Sequence, residues 1–171
     1  MADESTKLAA VEDEKRVATA WNQLNLVLSF FTRIDTKLSV VLGLDLGMLA
    51  VLFTRIPRVK EVTTLQWVFA VPFFVAIGTS LFHLYRGSFP HLLGGTTSLV
   101  FFRRIGAMQE SEFLRACRTR SSTELAEDLF EQVWRNSKIL TIKFESLQRA
   151  HHALILASIP WLGALGLLAT F

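Results

Sequence analysis

Apolar residues along this chain fall into three near-continuous runs, separated by stretches in which they recur every three or four positions. The longest run, Leu65 to Tyr85 (LQWVFAVPFFVAIGTSLFHLY), holds 21 residues with no Asp, Glu, Lys or Arg. At about 1.5 Å per helical residue it reaches roughly 30 Å, the thickness of a bilayer's hydrocarbon core. Trp67 and Tyr85 stand near its ends, where amphipathic rings favour the headgroup layer. Leu38 to Phe53 (LSVVLGLDLGMLAVLF) reads as a shorter span closed by Arg55, which can snorkel to the interface. Ala153 to Phe171 (ALILASIPWLGALGLLATF) is a third span of 19 residues, its carboxylate expected at the far interface.

Between these runs the periodicity is helical. Residues 1–37 contain no Gly or Pro, and Leu8, Val11, Ala18, Trp21, Leu24, Leu28 and Phe31 mark one stripe, interrupted at Lys15. The acidic start (Asp3, Glu4) suits a helix N-terminus. Thr54 to Thr64 (TRIPRVKEVTT) is short enough to make the first two spans a hairpin, and Pro72 is a candidate kink. Gly87, Pro90, Gly94 and Gly95 break the pattern after Tyr85, with no phosphate-loop spacing. Ser98 to Arg118 reads as a helix weakened at Gly106. Ser121 and Glu124 fit a capping box opening a long helix. On that helix Leu125, Leu129, Val133, Asn136, Leu140, Phe144 and Leu147 form one face, which Phe130 and Trp134 widen. This helix is expected to run straight into the third span, with a possible kink at Pro160, and the N-terminal helix into the first.

Composition narrows the class. The chain has 171 residues, 51% of them hydrophobic and 19% charged, which suits a few spans plus a charged extramembrane part. A net charge of +3 is too small to argue for a nucleic-acid polymer and fits residence beside anionic lipid. The single Cys117 excludes an intrachain disulfide and points to a reducing compartment. The acidic N-terminus does not read as a signal peptide, so targeting is expected from the spans. Lys and Arg number five in the arm to Lys37, three in the hairpin loop and ten in residues 86–152. That asymmetry places the arm and the long segment in the cytoplasm. The expected architecture is an all-α membrane protein with three transmembrane helices and a cytoplasmic helical bundle. Residues 1–37 form a cytoplasmic helix, 38–85 a transmembrane hairpin, 86–152 a cytoplasmic helical region and 153–171 a C-terminal transmembrane helix.

Candidate chemistry is sparse. His151 and His152 are adjacent and diverge on a helix, and no zinc, GxSxG or HExxH pattern exists. No metal site and no enzyme is expected. Asp45 lies inside a span between Gly43 and Gly47, a GxxxG pair that permits close helix approach. Asp45 is either a polar lining or an inter-subunit bond, or it is neutral or simply satisfied by a hydrogen bond at shallow depth. Thr79 sits at a similar depth of about ten ångströms and could supply it. Phe101, Phe102, Arg103 and Arg104 are consecutive, and Arg115, Arg118 and Arg120 follow. Guanidinium forks pair with phosphate and aromatic faces stack on bases, so a small anionic nucleotide suits this cluster. A solvated basic surface with both phenylalanines in the bundle core suits it too.

Three blocks resemble the transmembrane effectors of bacterial Pycsar antiphage systems. The first is Asn25 followed by Asp35-Thr36-Lys37, leading into a span. The second is SLVFFRRIGAMQESEFL, Ser98 to Leu114. The third, in Glu127 to Ala150, is a D-x-x-x-Q-[IV] pattern with a Lys eleven residues after the Gln: Asp128, Gln132, Val133 and Lys143. Together they cover roughly residues 20–171. Leu38 departs from the small residue expected there, and Asp45 is no part of the pattern. The resemblance implies an effector that senses a cyclic pyrimidine mononucleotide, cCMP or cUMP, made by a companion cyclase. Spans then assemble or rearrange and impair the inner membrane in an abortive infection. It implies a homo-oligomer in the bacterial inner membrane, N-terminus cytoplasmic and C-terminus on the outer face, with no cofactor beyond the ligand. Arg103, Arg104 and Lys143 are the expected phosphate contacts and Phe101 or Phe102 the stacking ring. Asp35 and Lys37 belong either to that site or to a structural pair at the bilayer surface. Two other readings stand beside this one: a membrane scaffold with a protein partner, and a constitutive holin-like pore-former.

Overall fold

The computed structural model describes residues 2–55, 63–89 and 97–168. They form five helices: α1 (Ala2–Phe53), α2 (Thr64–Ser88), α3 (Phe102–Ala107), α4 (Glu110–Thr119) and α5 (Ser122–Leu168). No strand occurs among the described residues. Three helices, α1, α2 and α5, are long and apolar enough to cross a membrane. The N-terminal arm and first span are one helix, and so are the long polar helix and the last span, as the absence of Gly and Pro at each junction predicts. Pro72 and Pro160 both lie within helices. Most of the hairpin loop (56–62), the centre of the Gly/Pro-rich linker (90–96) and the final three residues lie outside the described residues.

Local chemistry sets the boundaries. Ser121 N–H donates to Glu124 Oε2 at 2.8 Å and Glu124 N–H to Ser121 Oγ at 3.2 Å, the reciprocal pair expected at the start of α5. A second box opens α2. Thr63 N–H donates to Gln66 Oε1 at 2.8 Å and Gln66 N–H to Thr63 Oγ1 at 3.4 Å. Its signature is the T-x-x-Q of Thr63 and Gln66. The helix expected over Ser98 to Arg118 is instead two, α3 and α4, parted at Met108 and Gln109 just after Gly106. α2 runs past the expected break at Arg86 to Ser88. Gly87 is buried there because a Cβ would meet Ser146 Cβ at 3.0 Å and Leu38 Cδ2 at 3.4 Å.

The described chain forms two compact units: Met1–Thr32 with His91–Leu140, and Arg33–Pro90 with Thr141–Phe171. In the first, Ala20 and Leu24 of α1 pack on Leu129 of α5, flanked by Val17, Val100, Leu125 and Val133. In the second, α1 and α5 run parallel and α2 antiparallel to both. Asp35 meets Lys143, Asp45 meets Ser80 near Ala150, and Trp161 Nε1 donates to Met48 O at 3.1 Å. The apolar core there is Leu52, Phe73, Ile77, Ala157 and Ala164.

The buried stripe on α1 differs in phase from the expected one. Burial recurs at Val17, Ala20, Leu24, Val27, Phe31, Ile34, Leu38, Val41, Asp45, Met48 and Leu52, at alternating steps of four and three. That is the seven-residue repeat of a packed helix seam. Leu8, Val11, Trp21 and Leu28 face outward instead. On α5 the seam runs through Leu129, Gln132, Asn136, Ile139, Lys143, Ser146, Ala150, Ala153 and Ala157. Phe144, expected on the inner face, is exposed.

Asp45 therefore occupies a seam position and is fully buried. Its partner is Ser80, whose Oγ donates to Asp45 Oδ2 at 2.6 Å with Ala150 O at 3.2 Å as a second neighbour. Thr79, the expected partner, lies one residue away around the helix and donates to Val75 O in its own turn. Gly43 and Gly47 make no close helix contact among the described residues: a Cβ at either would meet nothing within 4 Å.

Candidate ligand site

The second and third sequence blocks meet in the first unit. Ser98 Oγ accepts the N–H groups of Val100 and Phe101 at 3.1 and 3.0 Å, an ST-type turn that starts the path into α3. Gln132 Nε2 donates to the same Oγ at 3.1 Å. Asp128 Oδ2 accepts from Leu99 N–H at 2.8 Å and from Arg120 Nη1 at 3.3 Å. Ser98, Asp128 and Gln132 are all buried. One turn of α5 thus carries two side chains, four residues apart, that clamp the turn before α3. The D-x-x-x-Q spacing has this physical content: Asp128 satisfies the Leu99 N–H, and Gln132 braces the Ser98 hydroxyl that accepts from Val100 and Phe101.

The clamp holds one wall of a cleft of about 560 Å³ lined by α3, α4 and the first turn of α5. Arg104, Arg115 and Arg120 line it, against the carboxylates of Glu112 and Glu124. The three guanidinium groups differ in how firmly they are held. Arg120 bridges Asp128 and Thr97 O, the latter at 3.4 Å. Arg104 faces Glu112 at 3.9 Å, too long for a good hydrogen bond. Arg115 has no side-chain hydrogen bond or ion pair among the described residues. Glu124 is committed elsewhere. The Ser121 backbone N–H and then its hydroxyl hold the carboxyl below the usual glutamate range, with Arg120 adding to the effect.

The structure distributes the sequence-predicted site residues over both units. Arg104 lines the cleft; Arg103, next on a short helix, is exposed and does not. The rings of Phe101 and Phe102 meet edge-on with centroids 5.2 Å apart, and Phe102 is 65% exposed, so it is not a core residue of this chain. In the second unit Lys143 is buried on the seam and ion-paired with Asp35, Nζ to Oδ1 at 2.6 Å. The pairing expected between Asp35 and Lys37 is replaced by this one because Lys143 projects from the facing seam. Lys37 is exposed and lines a separate groove. Arg115 and Arg120 belong to the basic cluster visible in the sequence, but only the α3–α4 corner shows that they converge with Arg104. Among the described residues, no group of three or more His, Cys, Asp or Glu side chains is placed to hold a metal.

The family described as Pycsar effector protein domain (PycTM) matches residues 19–170. No curated protein and no solved structure matches the chain. The match covers nearly the whole chain, which therefore belongs to the Pycsar effector family and has a role in Pycsar antiphage defence.

Proposed function

From that membership we infer that this chain is a membrane-embedded receptor for a cyclic pyrimidine mononucleotide, cCMP or cUMP, supplied by a companion cyclase. It is not an enzyme. Its N-terminus and the α3–α4 region lie in the cytoplasm and its C-terminus on the outer face of the bacterial inner membrane, following the Lys and Arg asymmetry. The ligand site is the arginine-lined cleft, a helical bundle facing the cytoplasm. The observation that carries this reading is Arg115: a guanidinium without a side-chain partner among the described residues, beside the loosely held Arg104, in a cleft of about 560 Å³. A cyclic phosphate accepts from guanidinium forks, and the Glu112 carboxylate can accept from a ribose hydroxyl or a base amine.

The ligand bridges α3 and α4 to the start of α5 and offsets the repulsion among three like charges. It shifts the protein only through its higher affinity for the bridged state. Assembly of several copies then impairs the membrane. Exposed Trp21, Phe102 and Trp134 in the first unit support a homo-oligomer, since such large apolar side chains favour burial against a partner.

The test is calorimetry on the detergent-solubilised protein with cCMP, cUMP, cAMP and cGMP, with oligomer mass measured alongside. One cyclic pyrimidine nucleotide binds, Arg115→Glu weakens it at least about tenfold, and Arg103→Glu leaves it near the parent value. Failure of folded protein to bind any of the four removes the receptor reading in favour of a scaffold or a constitutive pore. Unchanged affinity in Arg104→Glu and Arg115→Glu moves the site elsewhere.

A further inference from the structure

The second unit holds a groove of about 550 Å³ between α1 and α5 that the clamp and the arginine cleft do not use. Its walls are apolar: Val40 and Val41 on α1, Phe144 and Leu147 on α5. Val40 and Phe144 are each 57% exposed, so the groove is open along one side. Its polar groups are Thr36, Lys37, Gln148 and His151, and no carboxylate lines it. Lys37 makes no ion pair among the described residues, because Asp35 is taken by Lys143. The groove begins where α1 passes from its charged segment, Arg33 to Lys37, into the uncharged residues that follow.

An occupant must cover apolar walls and neutralise a cation at one end of them. A mononucleotide is polar throughout and would leave Val40 and Phe144 uncovered. An apolar helix from another copy would cover the walls and strand Lys37. An amphiphile with an anionic head and a hydrocarbon tail does both, and a membrane places such molecules at this depth. We propose that the groove is a binding site for an anionic phospholipid. The phosphate sits on Lys37, and an acyl chain lies along Val40, Phe144 and Leu147. Ammonium near an anionic lipid surface gains enough to matter, and the wall adds apolar contact.

Native mass spectrometry of the full chain in detergent tests this, with phosphatidylglycerol and phosphatidylcholine added separately at equal concentration. Phosphatidylglycerol adducts persist at lower lipid concentration than phosphatidylcholine adducts. Lys37→Gln weakens phosphatidylglycerol about fivefold and removes the preference. Val40→Trp, which fills the groove, weakens both lipids while the helical content and melting temperature stay near the parent. Equal binding of the two lipids by the parent overturns the proposal, as does unchanged phosphatidylglycerol binding in Lys37→Gln. Displacement of phosphatidylglycerol by cCMP or cUMP at the groove overturns it as well and assigns the groove to the nucleotide.

Discussion

Lys143 reaches Asp35 across 2.6 Å with its own side chain only 7% exposed and that of Asp35 52% exposed. The two ends of this ion pair therefore have unequal access to water. Removing the carboxylate takes an ion-pair partner from an ammonium that is shielded from water, whereas removing the ammonium leaves a carboxylate that water can reach. Asp35→Ala is expected to cost about 1–3 kcal/mol and Lys143→Met less, the half-exposed carboxylate reducing both values. Unfolding of the two variants in mixed micelles checks the order. A larger loss for Lys143→Met contradicts it.

Asp128 serves both Leu99 N–H and Arg120 from a buried position. Asp128→Ala leaves that N–H without its acceptor and releases Arg120, at an expected cost of about 1–3 kcal/mol. Hydrogen exchange at the Leu99 amide should accelerate more than exchange in the second unit. If both accelerate equally, the residue acts globally and the clamp is not a local device.

Gly163 packs on Phe69 so closely that a Cβ would clash with Cδ1 and Cε1 of its ring, whereas Gly43 and Gly47 face open space. Gly163→Ala forces the ring aside and is expected to destabilise by about 1–3 kcal/mol, relieved by Phe69→Leu. Gly43→Ala and Gly47→Ala should be neutral or slightly stabilising, since Ala is the better helix former. Melting temperatures of the four variants separate the glycine needed for packing from the two that are not.

The capping box holds the Glu124 carboxyl below its ordinary value, chiefly through the Ser121 N–H. A depressed folded value means that this contribution is complete above the unfolded glutamate range. It is lost as pH falls through the folded value. Exchange protection in the first turn of α5 should therefore drop in mildly acidic buffer, below the usual glutamate range. Ser121→Ala should abolish that pH dependence. A first turn that stays protected through the same interval in the parent would contradict the assignment.

The number of long apolar helices, their approximate positions, both continuous helices and the α5 cap were legible along the chain. These depend on run length, on the absence of Gly and Pro, and on contacts within four residues, which are local properties. The phase of the buried stripes was legible only in part. α1 carries apolar residues around most of its circumference, so several stripes fit: Leu24 and Phe31 lie on the seam, whereas the stripe through Leu8, Val11 and Lys15 faces outward. On α5 the expected face is the packed one at Leu125, Leu129, Val133 and Asn136, but Phe144 lies outside it, and the buried Gln132, Lys143 and Ser146 carry no hydrophobic signal. Two of these polar residues find partners from distant parts of the chain, Ser98 for Gln132 and Asp35 for Lys143, while Asn136 donates to Gln132 O in its own turn. The partner of Asp45 and the convergence of Arg104, Arg115 and Arg120 have the same origin. Sequence by itself determined which segments are helical and apolar, through local steric and periodic rules. Only the tertiary structure decided which polar groups meet, because pairing between distant residues follows from helix packing and leaves no periodic trace.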